Sequence, residues 1–318
     1  MQTSLRRSLA PIAALELALP LAACGDGGSG AGGSDGADAS GDTVEVLASF
    51  YPLQYLTQRI GGDAVTVSSL TPAGAEPHDL ELSPSQVATM GRADLVVYLS
   101  GFQPAVDTAI SEVSPTAIDV ASAARLTDAA HEEEHDHEAE EEGHDHGGLD
   151  PHFWLDPIRM ADAADAVAAQ LAEVDPDGAE QFEANAAELR TELEGLDESY
   201  RTGLADCGTS TIVVAHEAYG YLAGAYGLDQ EGISGIDPEA EPSPARLREI
   251  EQVVNETGVS IIFTESLIDP RVAEVLADDL GITTGVLDPL ENQADPDADY
   301  VDVMESNLAS LREALTCA

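Results

Sequence analysis

Lysine is absent from this chain of 318 residues, and its 12 basic residues are all arginine, against 61 aspartates and glutamates. The formal net charge is −49. Nucleic-acid-binding proteins hold phosphates with a surplus of basic side chains, so this charge excludes that class. It excludes electrostatic adhesion to anionic lipid for the same reason. A field of this sign attracts cations.

The sequence also lacks an uncharged apolar run of 18 residues, so we expect no membrane-spanning helix in the mature chain. Hydrophobic residues still make up 43% of the chain, too many for a protein disordered throughout. About 270 residues of ordered sequence correspond to roughly two domains.

The N-terminus has the features of an export signal. Arg6 and Arg7 precede a mostly apolar stretch that ends in the motif Leu-Ala-Ala-Cys at Cys24. We interpret residues 1–23 as a signal peptide rather than a buried helix. The motif resembles a bacterial lipobox, which predicts an exported protein, lipid-anchored through Cys24 on the outer face of the cytoplasmic membrane. The glycine-rich residues 24–42 would form a flexible tether.

Only two further cysteines are present, Cys207 and Cys317. Export would place them in an oxidising compartment, where such a pair is more often a disulfide than two free thiols. Two cysteines alone make a poor metal site, so we predict a bridge that closes a loop of about 110 residues.

Strand and helix patterns alternate along the body of the chain. Short apolar or β-branched runs predict strands at residues 43–49, 64–70, 95–100, 211–215, 259–264 and 282–287. Helices are predicted at residues 84–91, 103–112, 244–257 and 270–280. The run 95–100 is apolar on both faces, which is typical of a central strand. This alternation implies parallel sheets with right-handed crossovers.

One long helical pattern separates the two α/β halves. Apolar residues recur at spacings of four and three from Pro176 to about Ala205, which predicts roughly 45 Å of helix. Two helices broken at Gly195 are the alternative, but a glycine there costs only about 1 kcal/mol. We therefore predict two (β/α) lobes with mostly parallel sheets, joined by one long rigid helix. The predicted boundaries are an N-terminal lobe at 43–175, a linking helix at 176–206 and a C-terminal lobe at 207–318.

An acidic, histidine-rich segment interrupts the first half at residues 130–148. Five histidines alternate there with carboxylates: His131, His135, His137, His144 and His146. The segment has no apolar residues around which to fold, so we expect a mobile loop. Imidazole and carboxylate together are ligands for borderline divalent metals, which favours weak metal capture over a purely solubilising role.

The three remaining histidines are isolated from one another in sequence. His78 and His216 follow predicted strands, and His152 precedes a predicted helix. Asp288 and Glu265 each follow a strand in the second half. In open α/β sheets, ligands bind at the carboxyl ends of strands, so we expect these side chains to converge. Three imidazoles and one carboxylate form a tetrahedral shell that suits Zn²⁺, whereas Mn²⁺ prefers more oxygen ligands.

Four motifs together resemble the zinc/manganese substrate-binding lipoproteins of ABC importers. They are Pro77-His78-Asp79, the run from Pro151 to Pro157 around His152, His216-Glu217-Ala218-Tyr219-Gly220-Tyr221, and Glu241-Pro242-Ser243-Pro244. The resemblance covers nearly all of residues 43–318. It implies metal bound in the cleft between two lobes. It also implies an extracytoplasmic receptor that captures Zn²⁺ and delivers it to a permease and its ATPase.

The resemblance also assigns site residues. By matching motifs, the metal ligands are three imidazoles and one carboxylate: His78, His152, His216 and Asp288. Glu76 or a water is the alternative fourth ligand. The third position is typically Glu in the manganese branch of this family, so His216 favours zinc. Glu265 is expected to support a ligand by accepting an imidazole N–H.

Three alternative functions differ from zinc import in testable ways. The first is a Mn²⁺ receptor of the same type. The second is a zinc-dependent hydrolase with Glu76 or Glu217 as general base, although no His-Glu-x-x-His motif is present. The third is a surface metal buffer or adhesion lipoprotein without a transporter. For the import function, we expect a monomer without enzymatic activity, for which zinc is cargo.

Overall fold

The computed structural model describes residues 43–127 and 149–318. The predicted signal peptide, Cys24 with its tether, and the acidic segment with its five histidines lie outside the described residues. These described residues form one compact unit.

The first lobe is built on a four-stranded parallel sheet in the order β2-β1-β3-β4. Its strands are β1 (Val44–Ala48), β2 (Val65–Ser69), β3 (Leu95–Tyr98) and β4 (Ala117–Asp119). Its helices are α1 (Tyr51–Gly61), α2 (Pro84–Met90), α3 (Pro104–Val113) and α4 (Ala121–Ala124). The interior position of β3 agrees with its run of fully buried apolar side chains.

The second lobe repeats this arrangement, with a parallel sheet in the order β6-β5-β7-β8. Its strands are β5 (Thr211–Val214), β6 (Asp229–Gly232), β7 (Ile261–Thr264) and β8 (Thr283–Val286). Its helices are α7 (Gly220–Tyr226), α8 (Pro244–Thr257), α9 (Arg271–Leu280) and α10 (Tyr300–Ala314). The predicted α/β fold with two parallel sheets is confirmed.

Two long helices, α5 (Pro157–Val174) and α6 (Ala179–Gly203), connect the first sheet to the second along the chain. The start of α5 is fixed by Asp156, whose carboxylate accepts the backbone N–H groups of Ile158 and Arg159. Helix α6 continues through Gly195 without a break and packs along α5. Among the described residues, no helix combines the length and apolarity needed to cross a bilayer.

The largest hydrophobic cluster extends through both lobes, and a smaller cluster lies within each lobe. One cluster of buried side chains includes residues of β1, α5, α6, β5 and α10, with Phe50, Trp154, Tyr200 and Tyr300 among its largest members. Tyr200 of α6 donates a hydrogen bond to the Met304 carbonyl of α10 at 2.7 Å. The linking helices are therefore part of the core, which favours small relative motions of the sheets over wide hinge opening. The predicted lobe boundaries at residues 175 and 206 stay a prediction.

The predicted disulfide is confirmed. Cys207 and Cys317 are bonded across a sequence separation of 110 residues. Backbone hydrogen bonds reinforce the junction, since the Gly208 N–H donates to Leu315 and the Ala318 N–H donates to Asp206. The C-terminal end of α10 is thus fixed to the entry of the second lobe.

Replacing both cysteines, with Cys207→Ser and Cys317→Ser, should lower the free energy of unfolding by about 2–5 kcal/mol, because the bridge restricts a long loop of the unfolded chain. Urea denaturation of the metal-free protein measures this change. The double variant should still bind the expected metal, since neither cysteine is among the ligands that the family resemblance implies. An unchanged unfolding free energy would contradict the stabilising role.

Candidate metal centre

Four side chains from separate parts of the chain converge on one point. They are His78 after β2, His152 before α5, His216 after β5 and Glu291 after β8. One potential ligand atom from each lies within 4.8 Å of every other. Both His152 and His216 are fully buried, and Glu291 is 5% exposed. The structure therefore brings together the three isolated histidines that the sequence singles out.

The spacing of the donor atoms matches a tetrahedral zinc shell. The Oε1 atom of Glu291 lies 3.3 Å from Nε2 of His78, 3.2 Å from Nε2 of His152 and 3.1 Å from Nε2 of His216. The Nε2 atoms of His152 and His216 are 3.4 Å apart. A tetrahedron with metal–ligand bonds of 2.0–2.1 Å has edges of roughly 3.3–3.4 Å. A shell of this size and composition suits zinc, whereas Ca²⁺ and Mg²⁺ need more oxygen ligands.

Buried carboxylates orient two of the imidazoles. The Nδ1 atom of His216 lies 2.6 Å from Oε1 of Glu265, and Nδ1 of His152 lies 2.8 Å from Oδ1 of Asp150. A proton on each Nδ1 would donate to its carboxylate and leave the Nε2 lone pair facing the centre. Glu265 lies where the sequence predicts a supporting carboxylate. Asp150 is missed by the sequence reasoning, although it stands two residues before His152.

The loop of His78 is fixed by hydrogen bonds to Glu76 and by ring packing against Phe102. The carboxylate of Glu76 accepts the N–H groups of His78 and Asp79, and the His78 ring packs edge-on against Phe102 with centroids 4.7 Å apart. Glu76 is not one of the four residues that converge. It shapes the loop that presents His78, and the geometry does not support the alternative of Glu76 as fourth ligand.

Asp288, the predicted fourth ligand, is also absent from the group. Its carboxylate accepts the backbone N–H of Leu290 at 2.8 Å and the hydroxyl of Ser266 at 2.7 Å. Glu291, three residues beyond Asp288, is the carboxylate that reaches the three imidazoles. Glu291 therefore replaces Asp288 in the geometry, and Asp288 forms the turn that leads to it.

Several contacts determine the path of this segment. Trp154 donates its indole N–H to the Pro289 carbonyl at 2.7 Å, and Asn307 pairs with both backbone groups of Asp288. Leu290 has a φ of 58°, a left-handed conformation that is unfavourable for a side chain other than glycine. Its side chain is 1% exposed, so packing holds the turn in place. A turn built from tertiary contacts has no local sequence signature, which is why the sequence pattern misses Glu291.

The four groups form a coupled set of charges in the metal-free protein. Burial lowers the pKa of His216, but hydrogen bonds and charges from Glu265 and Glu291 outweigh it and raise that pKa to about 10. Burial also lowers the pKa of His152, but the hydrogen bonds and charges of Asp150 and Glu291 are stronger and raise that pKa overall. Burial would raise the pKa of Glu291, yet the three imidazoles hold it well below its usual range. Without metal, the environment therefore favours protonated His152 and His216 beside an ionised Glu291.

Comparison with known proteins agrees with this geometry. A family model described as zinc-uptake complex component A, periplasmic, matches residues 46–314. The chain is 34% identical over 305 residues to the high-affinity zinc uptake system protein ZnuA of Bacillus subtilis. This alignment covers 93% of this chain and 94% of that protein.

Solved structures share the fold. The Zn(II)-bound AdcA of Streptococcus pneumoniae superposes with a TM-score of 0.72 at 32% identity, covering 86% of this chain and 58% of that one. The AdcAII protein of Streptococcus pneumoniae gives a TM-score of 0.76 at 29% identity, covering 87% of this chain and 100% of that one. The protein thus belongs to the family of periplasmic zinc-uptake complex component A proteins.

Proposed function

We propose that this protein is an extracytoplasmic receptor that captures Zn²⁺ and delivers it to an ABC permease for uptake. The observation that carries this proposal is the convergence of three imidazole nitrogens and the Glu291 carboxylate, whose oxygen lies 3.1–3.3 Å from all three Nε2 atoms, close to the edge length of a tetrahedral zinc shell. Its membership of a zinc-uptake family and its similarity to a zinc uptake system protein support the same conclusion.

The ligand composition favours zinc over manganese. Three neutral imidazoles and one carboxylate oxygen suit a borderline ion in four-coordination, whereas Mn²⁺ favours oxygen ligands and a larger shell. Burial of His152 and His216 leaves little room for additional water ligands. A manganese receptor of the same type is therefore the less favoured function.

Transport fits the site better than hydrolysis does. A catalytic zinc ion keeps an open position for water and a nearby general base, whereas here four protein side chains complete the tetrahedron. Of the candidate bases, Glu76 bonds its own loop, and Glu217 lies 3.8 Å from the guanidinium of Arg246. Zinc is accordingly the cargo of this protein rather than a cofactor.

Delivery requires that the loaded protein stay near its permease. The lipobox-like motif at Cys24 and the glycine-rich residues 24–42 support an exported protein, held on the outer face of the cytoplasmic membrane by lipid alone. The five histidines of residues 130–148 support weak additional capture of metal near the site. The receptor would hand zinc to the permease, whose ATPase drives uptake.

A pair of carboxylate variants tests the ligand set. Glu291→Gln should weaken zinc binding by about 100-fold, because about 10–16 kcal/mol of zinc affinity is shared among four ligands. Asp288→Asn is the matched control and should weaken it less than about tenfold, since an amide oxygen can still accept the Leu290 N–H. Competition titration of the full chain with a zinc chelator measures both, and wild type should bind Mn²⁺ far more weakly than Zn²⁺. A larger loss for Asp288→Asn than for Glu291→Gln would contradict the assignment.

Zinc binding should depend on pH well above the usual histidine range. Zinc needs the unprotonated Nε2 of His216, whose pKa of about 10 means that zinc must displace a proton at neutral pH. Affinity should therefore rise from pH 6 to pH 9, by about tenfold per pH unit for each proton displaced, rather than levelling off above pH 6.5. Calorimetry in buffers of different ionisation enthalpy counts the protons released. No proton release at pH 8 would refute this account of the site.

A further inference from the structure

A side chain that is not a metal ligand connects the two lobes beside the site. Asn292 directly follows Glu291 and is 6% exposed. Its Nδ2 amide donates to the carbonyl of Pro72 at 2.9 Å and to the carbonyl of Ala75 at 2.6 Å. Both carbonyls belong to the first-lobe loop that ends in His78. The amide therefore joins the segment of one ligand to the loop of another.

The loop that accepts these hydrogen bonds is fixed on its other side to the first sheet. The Thr71 hydroxyl donates to the Ser49 carbonyl at 2.7 Å. Gln103 donates from Nε2 to the Pro77 carbonyl at 3.1 Å and to Thr71 Oγ1 at 3.0 Å. Residues 71–78 thus move with the first lobe, and Asn292 moves with the second.

Within the described residues, few hydrogen bonds connect the His78 loop to the second lobe, and Asn292 makes most of them. Between residues 71–79 and residues 207–318, the hydrogen bonds there are the two from Asn292 and the one between His78 and Glu291. Zinc would replace the last of these with two metal–ligand bonds. In the zinc-loaded protein, the Asn292 amide would be the remaining direct hydrogen-bonded tie between the loop of His78 and the second lobe.

The segment that carries Glu291 depends on such contacts for its shape. Leu290 has a φ of 58°, and a left-handed backbone at a residue with a side chain persists only where surrounding contacts hold it. Asn292 anchors the C-terminal side of this turn, whereas Trp154 and Asn307 anchor its N-terminal side. Release of zinc requires the donor atoms to separate, and a separation of the backbone segments that carry Glu291 and His78 breaks the Asn292 contacts.

We propose, on the basis of the zinc-receptor function above, that Asn292 is a positioning residue that controls the rate of zinc release. Its two hydrogen bonds hold Glu291 and His78 at coordination distance after zinc has bound. A movement of the His78 loop away from the second lobe breaks these bonds and opens the shell. The residue acts through the closed state, so it slows dissociation and leaves the encounter of zinc with the metal-free site largely unchanged.

The test compares zinc release from the full chain in Asn292→Asp, Asn292→Ala and wild type. Zinc release is followed by stopped flow after mixing the loaded protein with an excess of fluorescent chelator. Losing two buried hydrogen bonds should accelerate release by about 10- to 100-fold, with the association rate within about threefold of wild type. The acceleration in Asn292→Asp would oppose simple electrostatics, since an added negative charge attracts the cation.

Gln293→Glu is the matched control, because it makes the same charge change one residue further along. Gln293 donates to the Ala298 carbonyl within its own segment and makes no described hydrogen bond to the first lobe. Its release rate should stay within about twofold of wild type. Equal acceleration in Gln293→Glu, unchanged release in Asn292→Ala, or an affinity loss confined to association would each overturn the proposal.

Amide hydrogen exchange distinguishes a local effect of Asn292 on the His78 loop from a general loss of stability. It is measured in both the wild type and the variant. In the zinc-loaded wild type, the amides of Ala75, His78 and Asp79, which donate hydrogen bonds within the loop, should be protected. In Asn292→Ala they should exchange at least tenfold faster, while exchange in α5 and α6 stays unchanged. Uniformly faster exchange in the variant, or unprotected loop amides in loaded wild type, would contradict the proposal. A wild type that does not bind zinc tightly would instead refute the zinc-receptor function itself.

Discussion

The structure depends on one buried carboxylate, Glu291, placed among three imidazoles. An isolated buried charge is strongly unfavourable, so this carboxylate is stable only because protons or a metal ion supply opposite charge. In the metal-free protein, protons on His216 and His152 supply that charge, and Glu265 together with Glu291 raises the pKa of His216 to about 10. The donor atoms of Glu291, His152 and His216 already stand 3.1–3.4 Å apart, close to the edge length of a tetrahedral zinc shell, so zinc can replace those protons without a large movement of these three side chains.

The fold supplies this arrangement by duplication of one sheet topology. Each lobe places its first strand between its second and third, and the loops beyond the strands meet around the four ligands. Glu265 and Asp150 stand behind His216 and His152, so two ligands are oriented by charged hydrogen bonds. The continuous core through α5 and α6 restricts large displacements of the lobes. Zinc exchange then requires only local motion of the His78 loop and the Glu291 turn, which disrupts less of the core than a displacement of whole lobes would.

Much of this organisation could be predicted from periodicity and strand-end chemistry. Alternating patterns locate most strands, and His216 lies two residues beyond β5, as a strand-end ligand should. Strands β4 and β6 and helices α1, α4, α7 and α10 are missed. Choosing Asp288 over Glu291 has a specific physical cause, because strand-end reasoning fixes where a strand stops but not how the next residues turn. The turn at Leu290 is set by tertiary contacts that no local pattern encodes.

The central claim is that one zinc ion binds three imidazoles and the Glu291 carboxylate, and anomalous diffraction at the zinc edge from crystals of the loaded protein tests it most directly. The account predicts a single strong peak bonded to Nε2 of His78, His152 and His216 and to one oxygen of Glu291, at about 2.0–2.1 Å. A zinc ion bound to Asp288 instead, or one lacking any of the three imidazoles, would contradict it.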